Sequence, residues 1–199
     1  MLTKQVFYQY PGTPSDGLER LAYCPDCGDP CEITKEGTDS RRHCEVCQRY
    51  HYVNPASAVS ILVVRGDAFV LCRRNASSYG GGKWCLPCGF IEFREDFLTA
   101  GIRETKEETG LDIDVKSIIS VTSNFLTASS HTLTVVLLAH ATGGTLLGGD
   151  DIDEARWFKF TDLLPPLAFD ADDHIISRYG EQPIYGAAVQ HCPESARDL

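Results

Sequence analysis

Residues 89–111 read Gly-Phe-Ile-Glu-Phe-Arg-Glu-Asp-Phe-Leu-Thr-Ala-Gly-Ile-Arg-Glu-Thr-Lys-Glu-Glu-Thr-Gly-Leu, and the rest of the chain is organised around this stretch. Its second half has the marks of a helix. Asp96 stands as an N-cap, Leu98, Ala100, Ile102 and Arg103 fill the interior, and Gly110 sits where a left-handed C-terminal cap belongs. At about 100° per residue, Leu98, Gly101, Ile102 and Thr105 share one side, while Glu104, Glu107 and Glu108 share an arc of roughly 100° on another. Three carboxylates are therefore expected on one exposed patch. Like charges at these spacings destabilise a helix by about 0.2–0.5 kcal/mol per pair. A cation seated on the patch explains it; the alternative is a solvated acidic face without a role. Carboxylate oxygens suit magnesium or manganese, which keep several waters and engage phosphates at the same time.

The window holds more than three glutamates. Gly89, five residues, Glu95, seven residues and then Arg103-Glu104-Thr105-Lys106-Glu107-Glu108-Thr109-Gly110-Leu111 resemble the signature of the Nudix hydrolases. One position departs: Thr105 stands where the family usually has a bulky aliphatic residue. The resemblance implies an α/β fold, a Nudix α/β/α sandwich with a mixed sheet, over about residues 58–169. It also implies that Glu104, Glu107 and Glu108 are metal ligands and catalytic groups, one of them a candidate base. Arg103 would orient a glutamate, Glu95 would support the helix, and the carbonyl of Cys88 or Gly89 is a further candidate ligand.

The chain of 199 residues can bury one substantial core with room for a small accessory module. No apolar run reaches the length of a membrane span, and the first residues lack the apolar core of a secretory signal, so no membrane partner and a cytoplasmic address are expected. A formal net charge of −10 argues against a nonspecific nucleic-acid surface, because phosphate backbones are held mainly by Lys and Arg. If the substrate is itself a phosphate ester, cations must screen the meeting of two acidic partners.

Nine cysteines, an odd count with paired Cys-x-x-Cys spacings, point to metal rather than a disulfide scaffold. Cys24, Cys27, Cys44 and Cys47 supply four thiolates at tetrahedral zinc spacing, separated by a polar segment long enough for a hairpin. They define a structural zinc ribbon over residues 21–55. Cys31 is an extra thiol, read as a small buried residue or a competing ligand. Arg41-Arg42-His43 is a local basic spot, but Asp26, Asp29, Glu32, Glu36, Asp39 and Glu45 surround it, which favours a docking module over a nucleic-acid reader.

Residues 1–20 read as an N-terminal arm with a candidate edge strand over residues 5–10, 56–180 as the Nudix domain, and 181–199 as a C-terminal tail. Strands are expected at 58–64, 68–73, 112–125, 132–141 and 155–160, with a closing helix at 170–178. Gly80-Gly81-Gly82-Lys83 is expected as a flexible loop and does not fit a phosphate-binding Gly-x-x-x-x-Gly-Lys-Ser/Thr. Cys85 and Cys88 form a third Cys-x-x-Cys, read as reduced thiols lining a strand, with a redox switch as the alternative. No histidine sits in a recognisable nucleophile context.

The ribbon running into Tyr52-x-Asn54-Pro55 resembles the branch that includes NADH, ADP-ribose and FAD pyrophosphatases. That resemblance implies hydrolysis of a nucleoside diphosphate-linked small molecule with release of a nucleoside monophosphate; a homodimer is also expected, Phe7, Tyr8 and Tyr10 packing on a partner subunit or on the chain itself. Ser123-Asn124-Phe125-Leu126-Thr127-Ala128 stands where NADH pyrophosphatases carry Ser-Gln-Pro-Trp-Pro-Phe-Pro, which lowers NADH relative to ADP-ribose or FAD. Three helix glutamates cover one side of a metal cluster, so a distant oxygen donor is needed. The acidic loop Gly148-Gly149-Asp150-Asp151-Ile152-Asp153-Glu154 supplies candidates, and by resemblance Asp151 is the further magnesium ligand, with Glu154 a structural acid. The rival reading is a ribbon-based regulator that binds a nucleotide or nucleic acid without hydrolysing it.

Overall fold

Residues 58–64, Ala-Val-Ser-Ile-Leu-Val-Val, are apolar at all positions but Ser60, so a strand built from them needs cover on both faces. A computed structural model, which describes residues 4–13 and 15–190, supplies it. The strand is β5 (Ala56–Arg65), preceded by β1 (Val6–Tyr8), a single 3-10 turn (Leu18–Leu21), β2 (Glu32–Glu36), β3 (Asp39–Cys44) and β4 (Arg49–His51). After it come β6 (Ala68–Arg74), β7 (Trp84–Cys85), β8 (Cys88–Phe90), α1 (Phe97–Thr109), β9 (Leu111–Thr127), β10 (Ser130–Gly144), β11 (Ile152–Lys159), α2 (Asp170–Glu181) and β12 (Ala187–Ala188).

Alternation along β5 divides the core in two. Val59, Ile61 and Val63 join Leu98 and Ala100 of α1 in one cluster. Leu62 and Val64 join Ile175 and Ile176 of α2 in the other. The sheet between the helices runs β1-β9-β10-β5-β6-β11, with β12, β7 and β8 pairing on β9, β6 and β5. It is mixed: β1 lies parallel to β9 and β10 parallel to β5, while β10 and β9 are antiparallel. This is the expected α/β/α sandwich with a mixed sheet.

Ahead of it, β2, β3 and β4 form a separate antiparallel sheet. Gly37, at φ 63°, turns the β2–β3 hairpin in a conformation that L side chains avoid. Val6–Tyr8 of the arm and Ala187–Ala188 of the tail pair into the main sheet. β1 adds an edge strand beside Ser123 to Phe125 with Phe7 buried under it, and β12 pairs with Ile118 and Ser117. The tail reading beyond residue 190 lies outside the described residues. Residues 80–83 form turns rather than an open loop: Arg74 N–H donates to Lys83 O and Gly82 N–H returns to Arg74 O, both at 2.9 Å. No helix among the described residues is long and apolar enough to cross a membrane.

Candidate active site

Helix α1 forms as its caps dictate. Asp96 accepts from the N–H groups of Leu98 and Thr99, and Gly110, at φ 70°, donates its N–H to Lys106 O. Thr105 is fully buried, and its hydroxyl donates to Gly101 O at 2.8 Å, so the departure from an aliphatic residue leaves no polar atom unpaired. Ile102, expected on the core side, is largely exposed.

The acidic face differs from the expected exposed patch. Glu104 and Glu108 are 8% and 1% exposed, and only Glu107 is open to solvent. The helix is sunk against β8 and the acidic loop, and each carboxylate has a defined setting. Cys88 N–H donates to Glu108 Oε2 at 2.9 Å. Arg103 is the hub for the others: Nε and Nη2 grip both oxygens of Glu95 at 2.6 and 2.8 Å, and Nη1 reaches Glu104 at 2.8 Å and Glu107 at 2.9 Å. Nη2 also donates to Phe90 O at 3.1 Å. This two-pronged grip is a geometry that Lys cannot reproduce.

Electrostatics follow from burial. Desolvation raises Glu108 well above the usual carboxylate range, and the Asp151 carboxylate adds to it. Burial also raises Glu104, against the pull of Arg103. Arg103 lowers Glu95 by direct hydrogen bonding.

Gly89 sets the wall beside Glu104. A Cβ there would lie 2.1 Å from the Glu104 carboxyl carbon and 2.1 and 2.5 Å from its oxygens. The glycine thus leaves the room a carboxylate needs next to β8. An all-oxygen donor set beside such a cradle fits a hard divalent cation. Glu104, Glu107 and Glu108 do not close into a tight cage: among the described residues, the groups whose ligand atoms all lie within 4.8 Å are cysteine-based. An ion that retains waters fits that spread.

The acidic loop packs on the end of α1, where Gly149 N–H donates to Glu108 O at 3.2 Å. Asp151 is brought to the site, and its Oδ2 accepts from Arg74 Nη2 at 3.0 Å and Ser78 Oγ at 2.8 Å. Glu154 pairs with Arg73 at 3.5 Å and with Arg156. Arg74, which lies just past the strand expected at 68–73 and drew no reading from the sequence, also donates to Tyr79 O at 2.7 Å and faces Cys85 and Cys88 at 3.8 and 4.0 Å. Both cysteines are free thiols, and register places Cys72 opposite Cys85. Cys88 is pushed well up by its contact with Cys85 and by burial, the reverse of what a reactive thiolate needs.

Beside Cys88 and Gly89 opens a cavity of about 350 Å³, walled by α2, β9 and β10. Asp172 lines it. Its Oδ2 accepts from Leu86 N–H at 3.0 Å, and complete burial raises its carboxyl to about 7.

The ribbon brings Cys24, Cys27, Cys44 and Cys47 together. Cys24 and Cys47 sulfurs lie 3.9 Å apart and those of Cys27 and Cys44 3.6 Å apart. A tetrahedron with metal–sulfur bonds of about 2.3 Å has sulfur–sulfur edges of about 3.8 Å, so the four thiols fit zinc. Burial works against ionisation of Cys24, yet hydrogen bonds from the N–H groups of Cys27 and Asp26, with those from the Cys27 and Cys44 thiols, bring the thiol down to about 6. The sequence reading missed His51, whose Nε2 is 3.3 Å from Cys24 Sγ; Cys31 is buried alongside. The basic spot is spent internally: Arg41 pairs with Glu36 and Asp39, Arg42 donates to Leu18 O and Cys31 O, and His43 meets Glu45.

Comparison with known proteins agrees with this architecture. An ADP-ribose pyrophosphatase of Methanocaldococcus jannaschii is 37% identical over 129 residues, 64% of this chain and 75% of that one. An NAD-capped RNA hydrolase NudC of Salmonella heidelberg is 28% identical over 146 residues, 72% of this chain and 54% of its own length. The chain thus spans about half of the NudC relatives it matches. A crystal structure of a NUDIX hydrolase from Nitrosomonas europaea superposes with a TM-score of 0.70 at 26% identity, covering 86% of this chain and 97% of that one. The NUDIX domain model matches residues 54–179, more than half of the sequence, and the chain therefore belongs to the Nudix family.

Proposed function

We infer that this chain is a metal-dependent pyrophosphohydrolase acting on a nucleoside diphosphate derivative of the ADP-ribose, FAD or NADH class. The observation that carries this reading is the Glu104, Glu107 and Glu108 set, held by Arg103 and Cys88 N–H beside the space left by Gly89. These three glutamates would hold magnesium or manganese, with Asp151 approaching from the acidic loop. When bound, a divalent cation polarises phosphoryl oxygens and eases deprotonation of the attacking water.

The protein's own part is positioning. Arg103 fixes Glu104 and Glu107, Glu95 anchors Arg103, and Cys88 N–H fixes one oxygen of Glu108. Water attacks phosphorus and the anhydride P–O bond breaks. A nucleoside monophosphate and a second phosphate-bearing product leave.

Similarity to an ADP-ribose pyrophosphatase favours ADP-ribose. Similarity to NAD-capped RNA hydrolases raises a second reading, an RNA-linked dinucleotide. The net charge of −10 and the internal pairing of Arg41 and Arg42 favour the small molecule.

Zinc in the ribbon is structural, and the chain works as a homodimer in the cytoplasm. A homodimer is supported by Val6, Tyr8, Val121 and Leu133, exposed apolar groups that register places along one face of β1, β9 and β10. A solution mass of one 21.9 kDa chain would contradict the dimer. The functional reading is tested by incubating purified protein and magnesium with ADP-ribose, FAD, NADH, an NAD-capped RNA and deoxynucleoside triphosphates. Cleavage of ADP-ribose to AMP in preference to the triphosphates is expected. Hydrolysis of none of them would return the regulator reading.

A further inference from the structure

The cavity beside Gly89 has a chemistry of its own. Its lining holds one cation, Arg74, and one carboxylate, Asp172, among the described residues. Arg74 is committed to Asp151 and Tyr79 O, and Asp172 to Leu86 N–H. The cavity therefore offers a phosphate no free cationic partner, and Gly89, which abuts the Glu104 carboxylate, forms part of its wall. Apolar and aromatic groups make up much of the remaining wall: Phe90, Val136, Phe169 and Ile175, with Tyr79 lying nearly parallel to Phe169 at 11° and 5.9 Å. Such a wall suits a flat, uncharged ring.

At the sheet floor sits a polar cluster that the reaction does not use. Asn124 is 8% exposed, and its Nδ2 faces the hydroxyls of Thr122 and Thr132 at 3.2 Å and Thr134 at 3.1 Å. Thr132 and Thr134 are themselves 3.1 Å apart. All four residues line the cavity. With the amide nitrogen engaged by hydroxyls, Oδ1 accepts no hydrogen bond among the described residues. A locked acceptor at the floor of a largely apolar cavity selects a ring that carries an N–H donor.

We propose that this cavity receives a planar nitrogen-containing ring of the substrate and that Asn124, fixed by Thr122, Thr132 and Thr134, determines specificity by accepting from an N–H group carried by that ring. The inference rests on the pyrophosphohydrolase reading. The donor is either the amino group of an adenine or the carboxamide NH₂ of a nicotinamide. A site built to hydrogen-bond a donor rejects the analogue lacking it strongly, because its own acceptor is then left unpaired.

The test has two arms, both with magnesium and the full chain. One compares kcat/KM for ADP-ribose with its analogue lacking the purine amino group; the other compares NADH with its analogue whose carboxamide is replaced by acetyl. Wild-type protein is expected to prefer the donor-bearing member by tenfold or more in one arm, which identifies the ring. Asn124→Leu, with folding checked by thermal melting, is expected to bring that ratio within about threefold of one. Equal kcat/KM within both pairs for wild-type protein overturns the inference whatever the variant does, as does an unchanged preference in folded Asn124→Leu. If wild-type protein hydrolyses no member of either pair, this inference falls, and the functional reading falls with it only when FAD and NAD-capped RNA are also left intact.

Discussion

A side chain at position 89 and the carboxylate of Glu104 cannot occupy the same space: a Cβ on Gly89 would lie 2.1 Å from the Glu104 carboxyl carbon. Gly89 does not lie in the left-handed region, so the requirement is for room and not for backbone freedom. Gly89→Ala is therefore expected to displace Glu104 rather than to unfold β8. The expected result is a loss of at least about tenfold in kcat with a melting temperature within a few degrees of wild type. Steady-state kinetics and calorimetry on one preparation check both halves.

Arg103 joins Glu95, Glu104 and Glu107 in a single ion-paired group. Arg103→Lys keeps the charge but loses the fork that grips Glu95. Magnesium titration of activity is expected to show about tenfold lower turnover and a higher half-saturating magnesium concentration, with about 1 kcal/mol lost from stability in urea. A magnesium curve superposing on wild type would remove Arg103 from its positioning role.

How much of this was legible in the sequence depends on how local the signal was. The caps of α1, Asp96 and Gly110, and the both-faces-apolar run of β5 act over a few residues, and they predict the helix and the central strand. The burial of Glu108 was not legible. It follows from β8 and the 148–154 loop closing on the helix, and a helical wheel cannot contain a neighbour from elsewhere in the chain. His51 and Arg74 were missed for the same reason: Cys24 and Asp151, which they meet, lie 27 and 77 residues away in the chain. Asp172 carried no signal beyond being one of several acids at the start of α2.

Asp172 gives the stability a pH dependence. Its carboxyl stands near 7 when folded against 3.8 for the free group, so the folded state holds the proton longer. Stability from this residue is full below about pH 4 and falls as pH rises toward 7, by a few kcal/mol at most on the order of 1.4 kcal/mol per unit. Asp172→Asn keeps an oxygen for Leu86 N–H and removes the titration. Urea denaturation between pH 4 and 7 is expected to show a flatter pH profile for the variant than for wild type.

Cys44 is fully buried among the ribbon thiols. Cys44→Ser is expected to reduce bound zinc from one per chain to well below one and to unfold β2–β4 selectively, because a ribbon of this size depends on its metal. Elemental analysis and circular dichroism before and after chelation check it. Wild-type protein purified without zinc would contradict the site.

The central claim is that the glutamates of α1 hold the cation that hydrolysis requires. Its most direct test is the rate of ADP-ribose hydrolysis as a function of magnesium for wild type, Glu107→Gln and Glu108→Gln, each confirmed folded by its melting curve. The account predicts no turnover without a divalent cation and a loss of about 10² or more in kcat/KM for both variants. Near-normal, magnesium-dependent turnover in both folded variants would contradict it.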